Sequence, residues 1–147
     1  MSTVGIEGAK MALDKENPGW NFESIKAETN GKWNDMLSLV EVEGTEEEKM
    51  NFYTSMYHLF IQPTNIADID GKYRGVNDSV FVSKSGTYYS TFSLWDTYRA
   101  AHPLYTILIP KRVPGMINSL LDYQKVQGHL PVWTLWAVSY THLTLPT

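Results

Sequence analysis

The chain has 147 residues, 43% of them hydrophobic and 19% charged, which indicates one modest folded domain rather than a disordered chain. Its formal net charge of -4 and its scattered Lys and Arg residues exclude a basic surface of the kind that binds nucleic acid. It contains no cysteine, which excludes disulfides and thiolate metal sites, and no run of about 18 apolar residues that would predict a membrane-spanning segment.

The first residues carry a strand pattern. Val4 and Ile6 alternate within residues 3–9, which predicts a short strand. We interpret residues 1–16 as the end of a preceding sheet domain, with this strand as its remnant.

Two helices are predicted next. Over residues 19–40 the apolar residues recur at helical spacing, and Pro18 suits the first turn of a helix. The Asn-Gly pair at residues 30–31 is where this predicted helix could be loosened. Thr45 and Glu48 form a capping box that starts the second helix, and Pro63 ends it. The apolar face of this second helix is wide, so we expect neighbours on two of its sides.

A long connection with two β-like runs follows. The runs lie at 79–82 and 87–90 within residues 64–90 and predict a hairpin-like insertion. The sequence Asp-Ile-Asp-Gly at 68–71 resembles the start of a calcium loop, but the further ligands of such a loop are missing. We therefore interpret it as an Asx-turn.

Two further helices are predicted after the connection. One covers Leu94 to His102 and stops before Pro103, since the residue before a proline disfavours helical backbone. The other begins near Pro114 and ends at Gly128, a residue typical of helix C-termini.

The most informative polar cluster is Trp95, Asp96 and Arg99. On one helix Asp96 and Arg99 project together, so their carboxylate and guanidinium groups predict a fork that could bind the neighbouring hydroxyls of a sugar beside the Trp95 ring. From the residues alone, a surface ion pair next to a core tryptophan is the commoner meaning of such a pattern.

The sequence gives little support to a metal site or to acyl or phosphoryl transfer. The four histidines lack the spacing that puts two of them on one helical face, so we predict no metal site, and we interpret His58 as a hydrogen-bonded core residue. The motifs of acyl and phosphoryl transfer are missing.

Three ordered blocks carry a resemblance to a known family. They are Phe-Tyr-Thr-Ser-Met-Tyr-His at 52–58, Asp-Ile-Asp-Gly-Lys-Tyr-Arg-Gly at 68–75 and Tyr-Ser-Thr-Phe-Ser-Leu-Trp-Asp-Thr-Tyr-Arg-Ala-Ala-His-Pro at 89–103. Together with Asn-Pro-Gly-Trp at 17–20 and Gly-His-Leu-Pro-Val-Trp at 128–133, they resemble glycoside hydrolase family 92, the exo-acting α-mannosidases.

The resemblance implies a mainly α fold, the first helices of an (α/α)6 barrel. Residues 1–16 would then be the end of a β-sandwich domain, residues 17–44 a linker helix and residues 45–137 the start of the catalytic domain. Residues 138–147 break the family pattern, and we interpret them as a foreign tail, an assembly or sequencing artefact resembling translated adapter sequence.

The resemblance also implies a calcium-dependent, inverting enzyme that hydrolyses terminal α-mannosides of glycans. In its Trp-Asp-Thr motif Asp96 would hold hydroxyls of the mannose, Trp95 would shape the pocket, and Arg99 is the third candidate for substrate binding. We assign no catalytic or metal residue, since the general acid, the base and the Ca²⁺ ligands are expected outside this chain.

We therefore expect a fragment that is inactive alone, from a parent that is periplasmic, cell-surface or secreted. Two alternatives remain open from the residues. One is a small carbohydrate-binding module that uses Trp95, Tyr88 and Tyr89 as platforms. The other is a helical interaction fragment whose aromatic face docks a partner.

Overall fold

The computed structural model of the chain describes residues 1–134, and its architecture is mainly helical, as predicted. The helices are α1 (Ile6–Glu16), α2 (Phe22–Leu37), α3 (Glu46–Ile61), α4 (Leu94–Thr97), α5 (Ala101–Leu108) and α6 (Val113–Gln127), and the strands are β1 (Thr64–Asn65), β2 (Lys72–Arg74), β3 (Val80–Val82) and β4 (Tyr89–Ser90). Over residues 1–134, no helix is long and apolar enough to cross a membrane. The segment 138–147, which we interpret as foreign, lies outside the described residues.

Two compact units divide the chain. The first contains Met1–Ala12 and the chain from Pro63 onward, and the second contains Leu13–Gln62.

The unit Leu13–Gln62 is built on α2 and α3. Asn21 caps α2 by accepting a hydrogen bond from the Ser24 amide at 3.1 Å, so this helix begins at Phe22, later than predicted. It then continues through the Asn-Gly pair at residues 30–31 without a break. The Trp33 and Tyr57 rings, one from each helix, lie 4.4 Å apart.

The capping box at the start of α3 is confirmed. Thr45 Oγ1 accepts from the Glu48 amide at 3.3 Å, and Glu48 Oε2 accepts from the Thr45 amide at 2.8 Å. The hydrogen bonds that the Thr45 amide and the Thr45 hydroxyl donate to the Glu48 carboxylate lower the pKa of Glu48. Met56 is the buried residue of α3, whereas His58 is exposed, so the core-histidine interpretation is wrong. Within this unit α3 packs on α2.

The predicted strand at residues 3–9 is wrong, because α1 begins at Ile6. Ser2 Oγ accepts hydrogen bonds from the amides of Val4 and Gly5 at 3.0 and 3.2 Å, which starts a turn instead of an extended segment. The residues that follow are mostly strong helix formers, and two alternating apolar residues are too short a pattern to outweigh them. The assignment of residues 1–16 to the end of a β-sandwich stays a prediction.

The other unit contains two antiparallel sheets of two strands each. The predicted runs 79–82 and 87–90 do not pair with each other. Instead β3 pairs with β2 in the register Lys72 to Val82, and β4 pairs with β1. Side chains from the hairpin, β4 and the helices form the core. Its buried hydrophobic members are Ala12, Tyr73, Tyr88, Phe92, Tyr105, Ile109, Met116 and Tyr123. Burial in this core raises the pKa of Tyr73 to about 12 and also raises that of Tyr88.

The helix predicted from Leu94 to His102 is in fact two helices. The short α4 ends at Thr97, and α5 continues through Pro103 to Leu108, so the predicted stop before the proline is wrong. Pro103 is the third residue of α5, where the amide group of any residue would lack an intrahelical acceptor, so its ring removes no hydrogen bond. The last helix, α6, ends as predicted at Gly128, which has a φ of 84°.

Candidate functional site

The candidate site is built on α4, and the residue before this helix fixes the local geometry. Ser93 precedes the helix, and its hydroxyl donates to the Asp96 carboxylate. Thr97 Oγ1 donates to the Ser93 carbonyl at 2.9 Å. These local bonds hold a single helical turn that is too short to be stable by itself.

Long-range contacts orient this turn. The Leu94 amide donates to the Val132 carbonyl at 3.0 Å, and Ser93 forms an isolated antiparallel bridge with Trp133. Phe92, just before the turn, has only 2% of its surface exposed. The segment leading into α4 is therefore fixed on one side by residues 132–134 and anchored in the core by a buried aromatic ring.

The three predicted substrate-binding residues lie at one cavity of about 610 Å³. It is lined by Leu94, Trp95, Asp96, Tyr98, Arg99 and Val132. Trp95 is 68% exposed, so its ring presents an accessible apolar face at the cavity rather than packing in a core. The structure thus brings together the three residues that the sequence singled out.

Asp96 and Arg99 do not form the surface ion pair that is the commoner meaning of this pattern. Asp96 accepts a hydrogen bond from the Ser93 hydroxyl, and Arg99 Nε donates to the Tyr98 hydroxyl at 2.6 Å. None of the ion pairs within residues 1–134 joins Asp96 to Arg99. The reason is that α4 ends at Thr97, so Arg99 does not continue the helix on which the spacing argument rested. The two charged groups line the cavity separately.

This arrangement suits a ligand that is rich in hydroxyl groups. The Asp96 carboxylate can accept hydrogen bonds, the Arg99 guanidinium can donate them, and the Tyr98 hydroxyl can do both. The exposed Trp95 ring supplies a flat apolar surface beside these polar groups. A mainly apolar cavity with a few polar groups of this kind is typical of small-molecule sites.

Sequence reasoning missed Ser93 and Tyr98 as members of the site. Ser93 lies three residues before Asp96, the spacing of a local side-chain cap, so its contact could have been found from the sequence. The contribution of Val132 depends on a pairing between distant segments and left no local signal.

The calcium-like Asp-Ile-Asp-Gly segment at 68–71 is not part of a cluster of metal-ligating side chains within residues 1–134. Within residues 1–134 no group of three or more His, Asp or Glu side chains could hold a metal ion. At the Asp-Ile-Asp-Gly segment, Asp70 Oδ1 accepts from the Lys72 amide at 3.1 Å and Asp70 Oδ2 pairs with Lys72 Nζ at 2.7 Å, which lowers the pKa of Asp70. The Asx-turn interpretation is therefore confirmed.

A second cavity of about 430 Å³ lies between α5 and α6. Among its lining residues, His102 is partly buried beside the Phe92 and Tyr105 rings, with ring-centroid distances of 6.0 and 5.5 Å. Burial lowers the pKa of His102, and its Nε2 has no hydrogen-bond partner among the residues that the structure describes. The surroundings therefore favour the neutral imidazole.

Comparisons with known proteins agree on one family. The family model for the catalytic domain of glycosyl hydrolase family 92 matches residues 8–144, a range that includes part of the segment 138–147. The comparison with curated proteins gives no match.

Solved structures of this family are similar along most of the chain. An α-mannosidase of family GH92 from Bacteroides thetaiotaomicron is 32% identical over 92% of this chain, with a TM-score of 0.87. A second structure of that protein, in complex with mannoimidazole, gives the same TM-score at 31% identity. An inverting mannosidase of the family from Bacteroides thetaiotaomicron VPI-5482 is 27% identical over 90% of this chain, with a TM-score of 0.83. The chain spans 18% of the length of each of these relatives.

Proposed function

Because the chain belongs to glycosyl hydrolase family 92, we propose that it forms part of the substrate-binding wall of an enzyme that hydrolyses terminal α-mannosides of glycans. The observation that carries this proposal is the cavity at α4, where Trp95, Asp96 and Arg99 lie together within the segment that matches the family. The relative solved with mannoimidazole supports a mannose-like ligand.

The role of each group follows from its chemistry. The Asp96 carboxylate would accept hydrogen bonds from mannose hydroxyls, and the Ser93 hydroxyl, which already donates to it, would restrict its orientation. Arg99, held by the Tyr98 hydroxyl, would donate to a further sugar oxygen. Trp95 would cover an apolar face of the ring.

The bond cleavage itself is assigned to residues elsewhere in the whole enzyme. In an inverting glycosidase one carboxylic acid protonates the leaving oxygen, while a second carboxylate activates water on the opposite face of the sugar. We assign neither role within residues 1–134. Calcium dependence belongs to the same proposal, with ligands outside the described residues, as does an extracytoplasmic location of the parent enzyme.

The proposal is tested by replacing Asp96 with Asn in the full-length enzyme. Loss of a charged hydrogen bond to the substrate should lower kcat/KM for an aryl α-mannoside about tenfold to a hundredfold. Asp35→Asn is the matched control, because Asp35 is an exposed carboxylate on α2. Full activity of the Asp96→Asn enzyme would refute the role of this wall in binding.

The isolated 147-residue chain provides a second test. We expect no turnover of the aryl α-mannoside by this chain in the presence of calcium, because the catalytic acid and base are assigned elsewhere. Measurable turnover would contradict that assignment. Saturable mannose binding by a cooperatively folded chain would instead favour an independent carbohydrate-binding module.

A further inference from the structure

Thr91 has a backbone conformation that its side chain disfavours. Its φ is +62°, in the left-handed region, and among the non-glycine residues with positive φ in residues 1–134 it is the β-branched one. Residues held in such conformations persist only where their surroundings fix them, and they are concentrated at functional sites. This residue lies between β4 and the segment that carries α4.

Hydrogen bonds from three directions hold this conformation. Thr91 Oγ1 donates to the Ser90 carbonyl at 2.6 Å and accepts from the Thr64 amide at 3.1 Å. The Thr91 amide donates to the Thr134 carbonyl at 3.0 Å. The residue is therefore tied to β1 on one side and to residues 132–134 on the other.

The strained residue redirects the chain toward the candidate site. Up to Ser90 the chain is paired with β1, and from Phe92 onward it is paired with residues 132–134. Phe92 then enters the core, and Ser93 binds the Asp96 carboxylate. Thr91 is therefore the junction between these two pairings, two residues before the serine that binds Asp96.

We propose that Thr91 is a positioning residue for Asp96 and that its hydroxyl sets the affinity of the α4 cavity for mannose-like ligands. The inference rests on the proposed function of this cavity. Thr91 contacts no ligand in this scheme, since it acts through the connection that ends at Ser93.

The test compares Thr91→Val, Thr91→Gly and Thr91→Ser in the full-length enzyme. Valine keeps the branched shape without the hydroxyl, glycine accepts the positive φ without the hydroxyl, and serine keeps the hydroxyl. The control is Thr106→Val, since Thr106 Oγ1 also donates to a backbone carbonyl, that of Pro103, at 2.7 Å. The measurements are the Kd for mannoimidazole by calorimetry, the melting temperature, and kcat and KM on an aryl α-mannoside.

We expect the Kd to rise about tenfold in the Val and Gly variants, which lose the hydrogen bonds of the hydroxyl, and to change by less than about twofold in the Ser variant. KM should rise more than kcat falls, and Thr106→Val should bind as the unmodified enzyme does. If the Val variant does not fold, the Gly variant decides, because glycine carries no strain at this φ.

Unchanged affinity in a folded Gly variant, or equal losses in the Ser and Val variants, would overturn the inference. The Asp96→Asn enzyme separates this failure from failure of the proposed function. If that variant binds weakly and the Thr91 variants bind normally, only the inference fails. If Asp96→Asn itself binds normally, both fail.

Discussion

Gly8 lies near the start of α1, where a larger side chain would meet the buried Asp68. A Cβ at Gly8 would lie 2.7 Å from Ser2 Oγ and would overlap the Asp68 carboxylate. That carboxylate is 6% exposed, and its Oδ2 accepts from Ser2 Oγ at 2.6 Å. In Gly8→Ala the carboxylate must therefore move and give up this bond.

The expected change in the free energy of unfolding follows from two opposing effects. Alanine in place of glycine favours a helix by about 1 kcal/mol, whereas loss of a hydrogen bond to a charged group costs about 1.5–3 kcal/mol. The Asp68 Oδ1 atom already has no partner among the described residues, so the displaced carboxylate gains no ready substitute. We expect Gly8→Ala to lower the free energy of unfolding by about 0.5–2 kcal/mol, the difference between those two effects.

Gly31 supplies the control, since it lies within α2 and its Cβ position has no neighbour within 4 Å. Gly31→Ala should stabilise the chain by about 1 kcal/mol. Urea denaturation followed by circular dichroism measures both variants, and hydrogen exchange over residues 5–12 locates the effect of Gly8→Ala in α1. A Gly8→Ala variant as stable as the unmodified chain, or more stable, would refute the argument.

Two further predictions concern stability. Thr45→Ala removes the capping box of α3 and should lower the free energy of unfolding by about 0.5–2 kcal/mol in the same urea assay, whereas Thr54→Ala, an exposed change on the same helix, should not. Because burial lowers the pKa of His102, its contribution to stability should be present above the unfolded pKa of about 6.5 and be lost as the pH falls below it. His102→Gln should therefore reduce the drop in melting temperature between pH 7.5 and pH 5, and an unchanged drop would exclude this histidine as its source.

The elements that the sequence predicted correctly have signals within a few residues. The capping box at Thr45 and Glu48 specified the start of α3, because both of its hydrogen bonds join residues three apart. Gly128 specified the end of α6, because its φ of 84° is one that glycine adopts without strain. The hairpin of β2 and β3 was predicted only in part, because the run at 79–82 indicated β3 but nothing in the sequence indicated its partner β2.

The wrong predictions came from local rules that ignore where a residue lies within its helix or turn. Pro103 predicts a helix stop, but a proline in the first helical turn is tolerated, and the break at residues 98–100 places Pro103 in such a turn. The alternation of Val4 and Ile6 predicted a strand, but Ser2 turns the chain before the strand can form.

The sequence also predicted the candidate site only in part. The residue types of Trp95, Asp96 and Arg99 could be singled out from the sequence, and the cavity contains all three. Their orientation could not be predicted, because it depends on bonds from Thr91 to Thr64, 27 residues earlier, and on the pairing with residues 132–134. A short helix such as α4 has too few internal hydrogen bonds to set its own direction. Affinity at this cavity should therefore be sensitive to changes in β1 and in residues 132–134, although neither segment contains a residue that the sequence alone would assign to the site.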